Sequence, residues 1–95
     1  MAAAKAGDIY AQFAVAKIYD AADQPRHALP WYERAAKGGI AEAQARLGSM
    51  HYLGEGTNRN YFAAVTWLRR AAKQGDNNAF YDLSFCYFHG RGAPR

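Results

Sequence analysis

The feature that most constrains this chain is a repeat with constant spacing. The differences 67 − 31 for Trp67 and Trp31 and 75 − 39 for Gly75 and Gly39 are both 36. A period in the range of roughly 20–50 residues is typical of architectures in which one supersecondary unit stacks on the next. One complete unit runs from Gly39 to Gly75, with shortened copies on both sides. The sequence therefore predicts a repeat protein, with the recurring tryptophans in its core.

Within the complete unit, apolar residues recur at helical spacing in two stretches. Ala43, Leu47 and Met50 lie at i, i+4 and i+7, and a second series of the same kind starts at Ala64. Each series predicts an amphipathic helix. Residues 54–56, with the sequence Gly-Glu-Gly, separate them and supply the backbone freedom that a tight turn requires. The two helices are therefore predicted to be antiparallel neighbours.

This pattern resembles the Sel1-like repeat (SLR), a relative of the tetratricopeptide repeat. A tetratricopeptide unit has about 34 residues and lacks the Gly-x-Gly turn. One departure is His51, where the family usually has tyrosine, although Tyr19 and Tyr87 hold that place in the neighbouring copies. The positions that match the family are Gly39, Ala43, Leu47-Gly48, Gly54-x-Gly56, Ala64, Trp67, Ala71-Ala72 and Gly75.

The resemblance implies an all-α fold, a right-handed α-α superhelix of about five antiparallel helices in two and a half repeats. Residues 1–95 then form one domain. Within it, residues 1–6 are the tail of a preceding repeat, 7–38 and 39–74 are two repeats, and 75–95 are a half repeat. The chain is thus expected to begin in mid-repeat.

Local signals predict where the helices begin. Asp8 and either Asn58 or Asn60 are expected to be N-caps, because their side-chain oxygens can accept hydrogen bonds from the first turn. Pro30 lies in a helical stretch, where proline removes a hydrogen bond and clashes with the preceding turn. We therefore expect a kink there, or a helix that starts late, near Leu29.

Composition limits the classes of function. The net charge is +4, from 12 Lys and Arg against 8 Asp and Glu. Many of the basic residues fall near predicted helix C-termini, where they complement the helix dipole instead of forming a stripe along one groove. Because the charge is positive, a nucleic-acid-binding helical repeat is kept as an alternative. No apolar run is long enough to span a membrane. The sequence does not fix the compartment, which is the cytoplasm or, if an upstream signal was removed, the periplasm or the exterior of the cell.

The sequence predicts neither a metal site nor a catalytic centre. Cys86 and His89 are the only close pair of metal-binding residues, and two ligands do not make a zinc site; no cofactor is expected. Some relatives in the family have been described as β-lactamases, which keeps an enzyme as a second alternative. Ser49 and Ser84 are the only serines, and neither is followed by the Ser-x-x-Lys lysine. No catalytic residue is therefore predicted.

The resemblance further implies a concave groove lined by the first helix of each repeat. Rigid aromatic side chains recur there, and such residues give large contact areas at low entropic cost. The sequence thus predicts a non-catalytic protein–protein interaction module, a scaffold or adaptor that binds a peptide or protein. The predicted groove residues are Tyr10, Phe13, Lys17, Glu42, Ser49, Tyr52, Asn78, Tyr81, Phe85 and Phe88.

The last predicted helix, residues 77–89, is apolar almost all round. Such a helix is buried or available to a partner. Phe80, Leu83 and Tyr87 lie on the side that a following helix would cover, and a contiguous apolar patch marks an interface. We therefore expect self-association through this helix, either end to end or as a two-fold dimer.

Overall fold

The computed structural model describes residues 8–92, which form five α-helices of 13 residues each. Each helix packs on the next one in the chain, and the stack measures 45 × 25 × 18 Å. The all-α prediction is confirmed, whereas the expected tail at residues 1–6 lies outside the described residues. None of these helices has the length and apolar character needed to cross a membrane. The helices are α1 (Ile9–Ala21), α2 (Pro25–Lys37), α3 (Ala41–Leu53), α4 (Tyr61–Lys73) and α5 (Asn77–His89).

Three helices begin with a capped N-terminus. The side chains of Asp8, Asn60 and Asp76 each accept a hydrogen bond, at 2.9–3.0 Å, from the backbone N–H three residues later. Each such cap contributes about 1 kcal/mol to the helix that it starts. The prediction of Asp8 is confirmed, and of the two predicted asparagines it is Asn60 that caps α4.

Helix α2 contains two prolines, Pro25 and Pro30. It starts at Pro25, at the first helical position, and continues through Pro30 to its end. The expectation of a late start near Leu29 was therefore wrong. A proline at position 30 leaves the carbonyl of Arg26 without its usual donor, and both residues are exposed, so water can satisfy that group.

The turns between helices depend on residues in the left-handed region. Gly54 and Gly56 have φ values of 74° and 72°, and a side chain at Gly56 would come within 2.6 Å of the backbone of Pro25. This confirms the predicted Gly-x-Gly turn. The shorter turn between α1 and α2 lacks glycine, and Asp23 adopts a φ of 58° there instead.

The core consists of two clusters of buried side chains. The first joins α1, α2 and α3 around Tyr32, Leu47 and Met50, and the second joins α4 and α5 around Leu68 and Cys86. Small residues let the helices approach closely. Each repeat unit is thus buried by its neighbours, as expected of a stack.

Trp31 and Trp67 are less buried than the sequence predicted. Both pack against the first core cluster but remain partly exposed to solvent. The guanidinium groups of Arg34 and Arg70 lie 4.6 and 4.9 Å from the centres of the respective rings. The tryptophans therefore lie at the edge of the core, each between apolar side chains and a cation.

Candidate functional site

The first helices of successive repeats can be compared position by position. Helices α3 and α5 begin two residues after Gly39 and Gly75, so that a residue of α3 is equivalent to the residue 36 places later in α5. One face of α1, α3 and α5 borders a groove, and this numbering shows what each repeat contributes to it.

The groove contains two adjoining cavities. The first, of about 300 Å³, is named here the aromatic cavity, and the second, of about 490 Å³, the polar cavity. Ser49 and Asp82 border both, so the two form one continuous groove. The aromatic cavity is lined by Ser49, Tyr52, Leu53, Leu68, Tyr81, Asp82 and Phe85. The polar cavity is lined by Lys17, Asp20, Ala21, Tyr32, Glu42, Ala45, Arg46, Ser49, Asp76, Asn78 and Asp82.

Most of the predicted groove residues line these cavities. Tyr10 and Phe88 line neither cavity and are exposed, and Phe13 instead packs edge-on against Tyr32 with a ring distance of 6.2 Å. The predicted residues that border a cavity are Lys17, Glu42, Ser49, Tyr52, Asn78, Tyr81 and Phe85.

Tyr52 forms a fixed wall of the aromatic cavity. Its ring lies 5.2 Å from that of Tyr61 and 6.3 Å, edge-on, from that of Phe85. Its hydroxyl accepts a hydrogen bond from the guanidinium of Arg91. Tyr81, on the opposite helix, is 72% exposed. The cavity therefore combines a held ring with a ring that has most of its surface available for contact.

A charged network lies at one end of the polar cavity. Arg46 donates two hydrogen bonds to Asp20, at 2.7 and 2.9 Å, and one to Glu55 at 2.9 Å. The hydroxyl of Tyr32 donates to Asp20 at 2.8 Å. The hydrogen bonds from Arg46 are the main reason that the pKa of Asp20 is lowered, and burial is the main reason that the pKa of Tyr32 is raised. The network links α1, α2, α3 and the following turn.

Asp82 occupies the position in α5 that is equivalent to Arg46 in α3. It is half-buried between the two cavities, and no cationic side chain within residues 8–92 lies at ion-pair distance from it. Its pKa is raised, first by burial and then by the charge of Asp76, while the hydroxyl of Ser49 acts in the opposite direction. Sequence reasoning missed both Arg46 and Asp82. The available signal was the change from a basic residue, Arg46, to an acidic one, Asp82, at the same position of the repeat.

The polar cavity is locally acidic although the whole chain is basic. Its carboxylates outnumber its cations, in a chain whose net charge is +4. Lys17 lies 3.9 Å from Glu42, and both side chains are largely exposed, so this pair is weak. The carboxylates are Asp20, Glu42, Asp76 and Asp82, and the cations are Lys17 and Arg46.

The residues considered for metal binding and catalysis are dispersed. Within the part of the chain that the structure describes, no group of three His, Cys, Asp or Glu side chains could hold a metal ion. Cys86 is buried, and burial is the main cause of its raised pKa, whereas His89 is exposed. The hydroxyl of Ser84 donates to the carbonyl of Phe80 on its own helix, at 2.9 Å.

The residues predicted for self-association differ in exposure from their equivalents in α3. Phe80 is 64% exposed, whereas Gln44 at the same repeat position is 5% exposed. Leu83 is half-buried, whereas Leu47 is completely buried. Tyr87 is half-buried, and its hydroxyl accepts a hydrogen bond from α4 at 2.7 Å. The three residues are named here the outer face of α5, although Leu83 also packs against the second core cluster and only Phe80 is mostly exposed.

Comparison with known proteins gives consistent results. Residues 9–40, 41–76 and 79–95 match the profile of the family described as Sel1 repeat. The human protein named Protein sel-1 homolog 2 is 38% identical over 69 residues, 72% of this chain and 10% of that protein. The Arabidopsis thaliana protein named ERAD-associated E3 ubiquitin-protein ligase component HRD3A is 35% identical over 68 residues, again 72% of this chain and 10% of that protein. The chain thus spans a small part of these relatives.

Crystal structures of similar proteins share this fold. That of a Sel1 repeat protein from Oxalobacter formigenes is 36% identical, with a TM-score of 0.84, over 97% of this chain and 72% of that one. That of c5321, described as a protective antigen present in uropathogenic Escherichia coli strains displaying an SLR fold, is 32% identical. Its TM-score is 0.91, over 98% of this chain and 21% of that one.

Proposed function

Because the chain belongs to the Sel1 repeat family, we propose that it is a non-catalytic protein-interaction module, which binds a peptide or protein segment in the groove of α1, α3 and α5. The observation that carries this proposal is the continuity of the two cavities through Ser49 and Asp82. A relative named as a component of a ubiquitin-protein ligase supports a role as scaffold or adaptor within a complex.

The aromatic side chains supply the contact area that such binding needs. Tyr52 is held by neighbouring rings and by Arg91, so little conformational entropy is lost when a ligand packs against it. Tyr81 and Phe85 are exposed and would lose apolar surface to the ligand. Full burial of one such ring contributes roughly 1.5–3 kcal/mol. A few rings therefore suffice for a peptide of moderate affinity.

The charge distribution favours this function over nucleic-acid binding. The polar cavity is acidic, which opposes phosphate groups. Basic residues in the last turns of α2 and α4 include Arg34 and Arg70, which lie over tryptophan rings instead of forming a stripe along one groove. Binding to nucleic acid would weaken steeply with added salt, which a titration with sodium chloride would reveal.

A pull-down from a lysate of the source organism tests the groove. We expect the chain to capture protein partners, and a triple alanine variant of Tyr52, Tyr81 and Phe85 to lose them while keeping its helicity by circular dichroism. Lys73→Ala is the matched control, because Lys73 is exposed and borders neither cavity. Equal capture by the triple variant would overturn the assignment of the groove.

A second proposal concerns the outer face of α5, formed by Phe80, Leu83 and Tyr87. We propose that copies of the chain associate through it, because the equivalent face of α3 is covered by α2 and α4, whereas Phe80 in α5 is mostly exposed. The association is either end to end or a two-fold dimer, and light scattering over a concentration series distinguishes these two arrangements. End-to-end stacking grows with concentration, whereas a two-fold contact stops at the dimer. Leu83→Glu should give a monomer, and a wild-type chain that remains monomeric would contradict the proposal.

A further inference from the structure

We propose that the aromatic cavity is a subsite for one basic side chain, a lysine or arginine, of the bound segment, with Asp82 as its counter-ion. This inference rests on the proposed groove and specifies the chemistry of the ligand. A basic residue beside an apolar one is the sequence that we expect in the partner.

The first argument is the unbalanced charge of Asp82. Burial of a carboxylate without a cation is unfavourable, and the raised pKa of Asp82 reflects that cost. Of the cations that line the polar cavity, Arg46 is bound to Asp20, and Lys17 lies 3.9 Å from Glu42 in a weak, exposed pair; neither is paired with Asp82. A cation brought by a ligand would therefore meet a carboxylate that has the Ser49 hydroxyl beside it but no cationic partner within residues 8–92.

The second argument is the nature of the walls. Tyr52, Tyr81 and Phe85 surround the same cavity that Asp82 borders. The long stems of lysine and arginine pack well on apolar surfaces while the charged end reaches a polar group. Aromatic faces also attract cations directly, and because Arg91 already lies 5.8 Å from the centre of the Tyr52 ring, the exposed ring of Tyr81 is the one available for this contact. The volume of about 300 Å³ lies at the lower end of the range for ligand pockets, which suits one side chain.

Other ligand groups fit this cavity less well. An acidic or phosphorylated side chain would be repelled by Asp82 and by Asp76, which also lines the adjoining polar cavity. A purely apolar side chain would cover Asp82 further without pairing it, which adds to the cost of its burial. A basic side chain satisfies both the carboxylate and the aromatic walls.

The test is selection of a phage-displayed library of random peptides against the intact chain, followed by calorimetry with synthetic peptides. We expect the enriched peptides to carry lysine or arginine beside an apolar residue. Asp82→Asn should weaken their binding by roughly 10- to 100-fold, as should replacement of the peptide's lysine by norleucine. The two changes together should cost little more than either alone, because both remove the same ion pair. Glu33→Gln, at a carboxylate on α2 that borders neither cavity, is the matched control.

The outcomes separate this inference from the function on which it rests. Peptides whose binding depends on Tyr52 but is unchanged in Asp82→Asn would overturn the basic subsite and leave the groove intact. Peptides that depend on neither residue, or a selection without enrichment, would overturn both. Thermal unfolding of Asp82→Asn, monitored by circular dichroism, shows whether a loss of binding arises from loss of the fold.

Discussion

Helices α3 and α5 are the first helices of successive repeats, yet their equivalent faces differ in burial. In α3, Gln44 is almost fully buried and its amide group donates to the carbonyl of Ala36 and accepts from Gln74. In α5, Phe80 at the same position is mostly exposed. A glutamine is thus buried where a phenylalanine is not. Burial of a repeat position depends on the helices that flank it, here α2 and α4 for α3, more than on the hydrophobicity of its residue.

The same comparison separates structural charge from available charge. Arg46 of α3 is neutralised by Asp20 and Glu55, and the network joins three helices. Asp82 of α5 has no counter-ion within the described range. The central repeat therefore uses its charged position to hold the stack together, whereas the last repeat presents its charge to the groove.

The largest expected difference concerns the leucines of the two helices. Leu47→Ala should lower the free energy of unfolding by about 2–5 kcal/mol, because Leu47 is completely buried and its removal leaves a cavity. Leu83→Ala should cost only about 1–2 kcal/mol, since Leu83 is half-buried. Urea unfolding of both variants measures the two losses in free energy of unfolding. Equal losses would mean that α5 is held as firmly as α3.

Substitutions at the shared charged position should have opposite effects on stability. Arg46→Met leaves Asp20 without its main partner and should cost about 1–3 kcal/mol. Asp82→Asn removes an unpaired, partly buried charge and should leave stability unchanged or raise it by up to about 1 kcal/mol. Thermal unfolding at neutral pH compares the two. A clear loss in Asp82→Asn would show that Asp82 holds the fold together.

The pH dependence of stability should also differ in sign between Asp20 and Asp82. The lowered pKa of Asp20 contributes stability that is present above pH about 4 and is lost as pH falls through the lowered value. Because the pKa of Asp82 is raised, its carboxyl group stays protonated to higher pH in the folded state than in the unfolded state. Stability therefore falls as pH rises from about 4 through the raised value.

Urea unfolding at several pH values checks both signs against the asparagine variants. The difference between wild type and Asp20→Asn should shrink in acid, whereas that between wild type and Asp82→Asn should be small in acid and widen toward neutral pH. The groups that act on Asp82 or lie near it are Asp76, Ser49 and Cys86. A difference in unfolding free energy between wild type and Asp82→Asn that does not change with pH would contradict the raised pKa of Asp82.

Local features of the fold could be predicted from the sequence because they depend on neighbouring residues. Asp8 and Asn60 cap helices through contacts three residues away, and Gly54 is needed for its own backbone angle. The repeat period then placed Tyr52 and Phe85 on one face, where both border the aromatic cavity.

Features that depend on packing between distant residues could not be predicted. Arg46 reaches Asp20 across 26 positions of sequence, and its role appears only when α1 lies beside α3. The partial exposure of Trp67 depends on how α4 packs at the edge of the first cluster. The continuation of α2 through Pro30 depends on solvent access to the freed carbonyl.

The smallest expected change in stability follows Phe80→Gln, which gives α5 the residue that α3 carries at this position. Because Phe80 is 64% exposed, the free energy of unfolding should change by no more than about 0.5 kcal/mol. The loss of an exposed aromatic ring should nevertheless weaken association through the outer face of α5.

Light scattering and urea unfolding of the same Phe80→Gln sample separate these two effects. A variant that keeps the wild-type stability but dissociates at higher concentration than wild type would support the outer face of α5 as an interface. If instead stability falls by more than about 1 kcal/mol, Phe80 must pack against its own chain, because an exposed ring contributes little to folding. The burial of equivalent positions in α3 and α5 would then be more alike than their present exposures indicate.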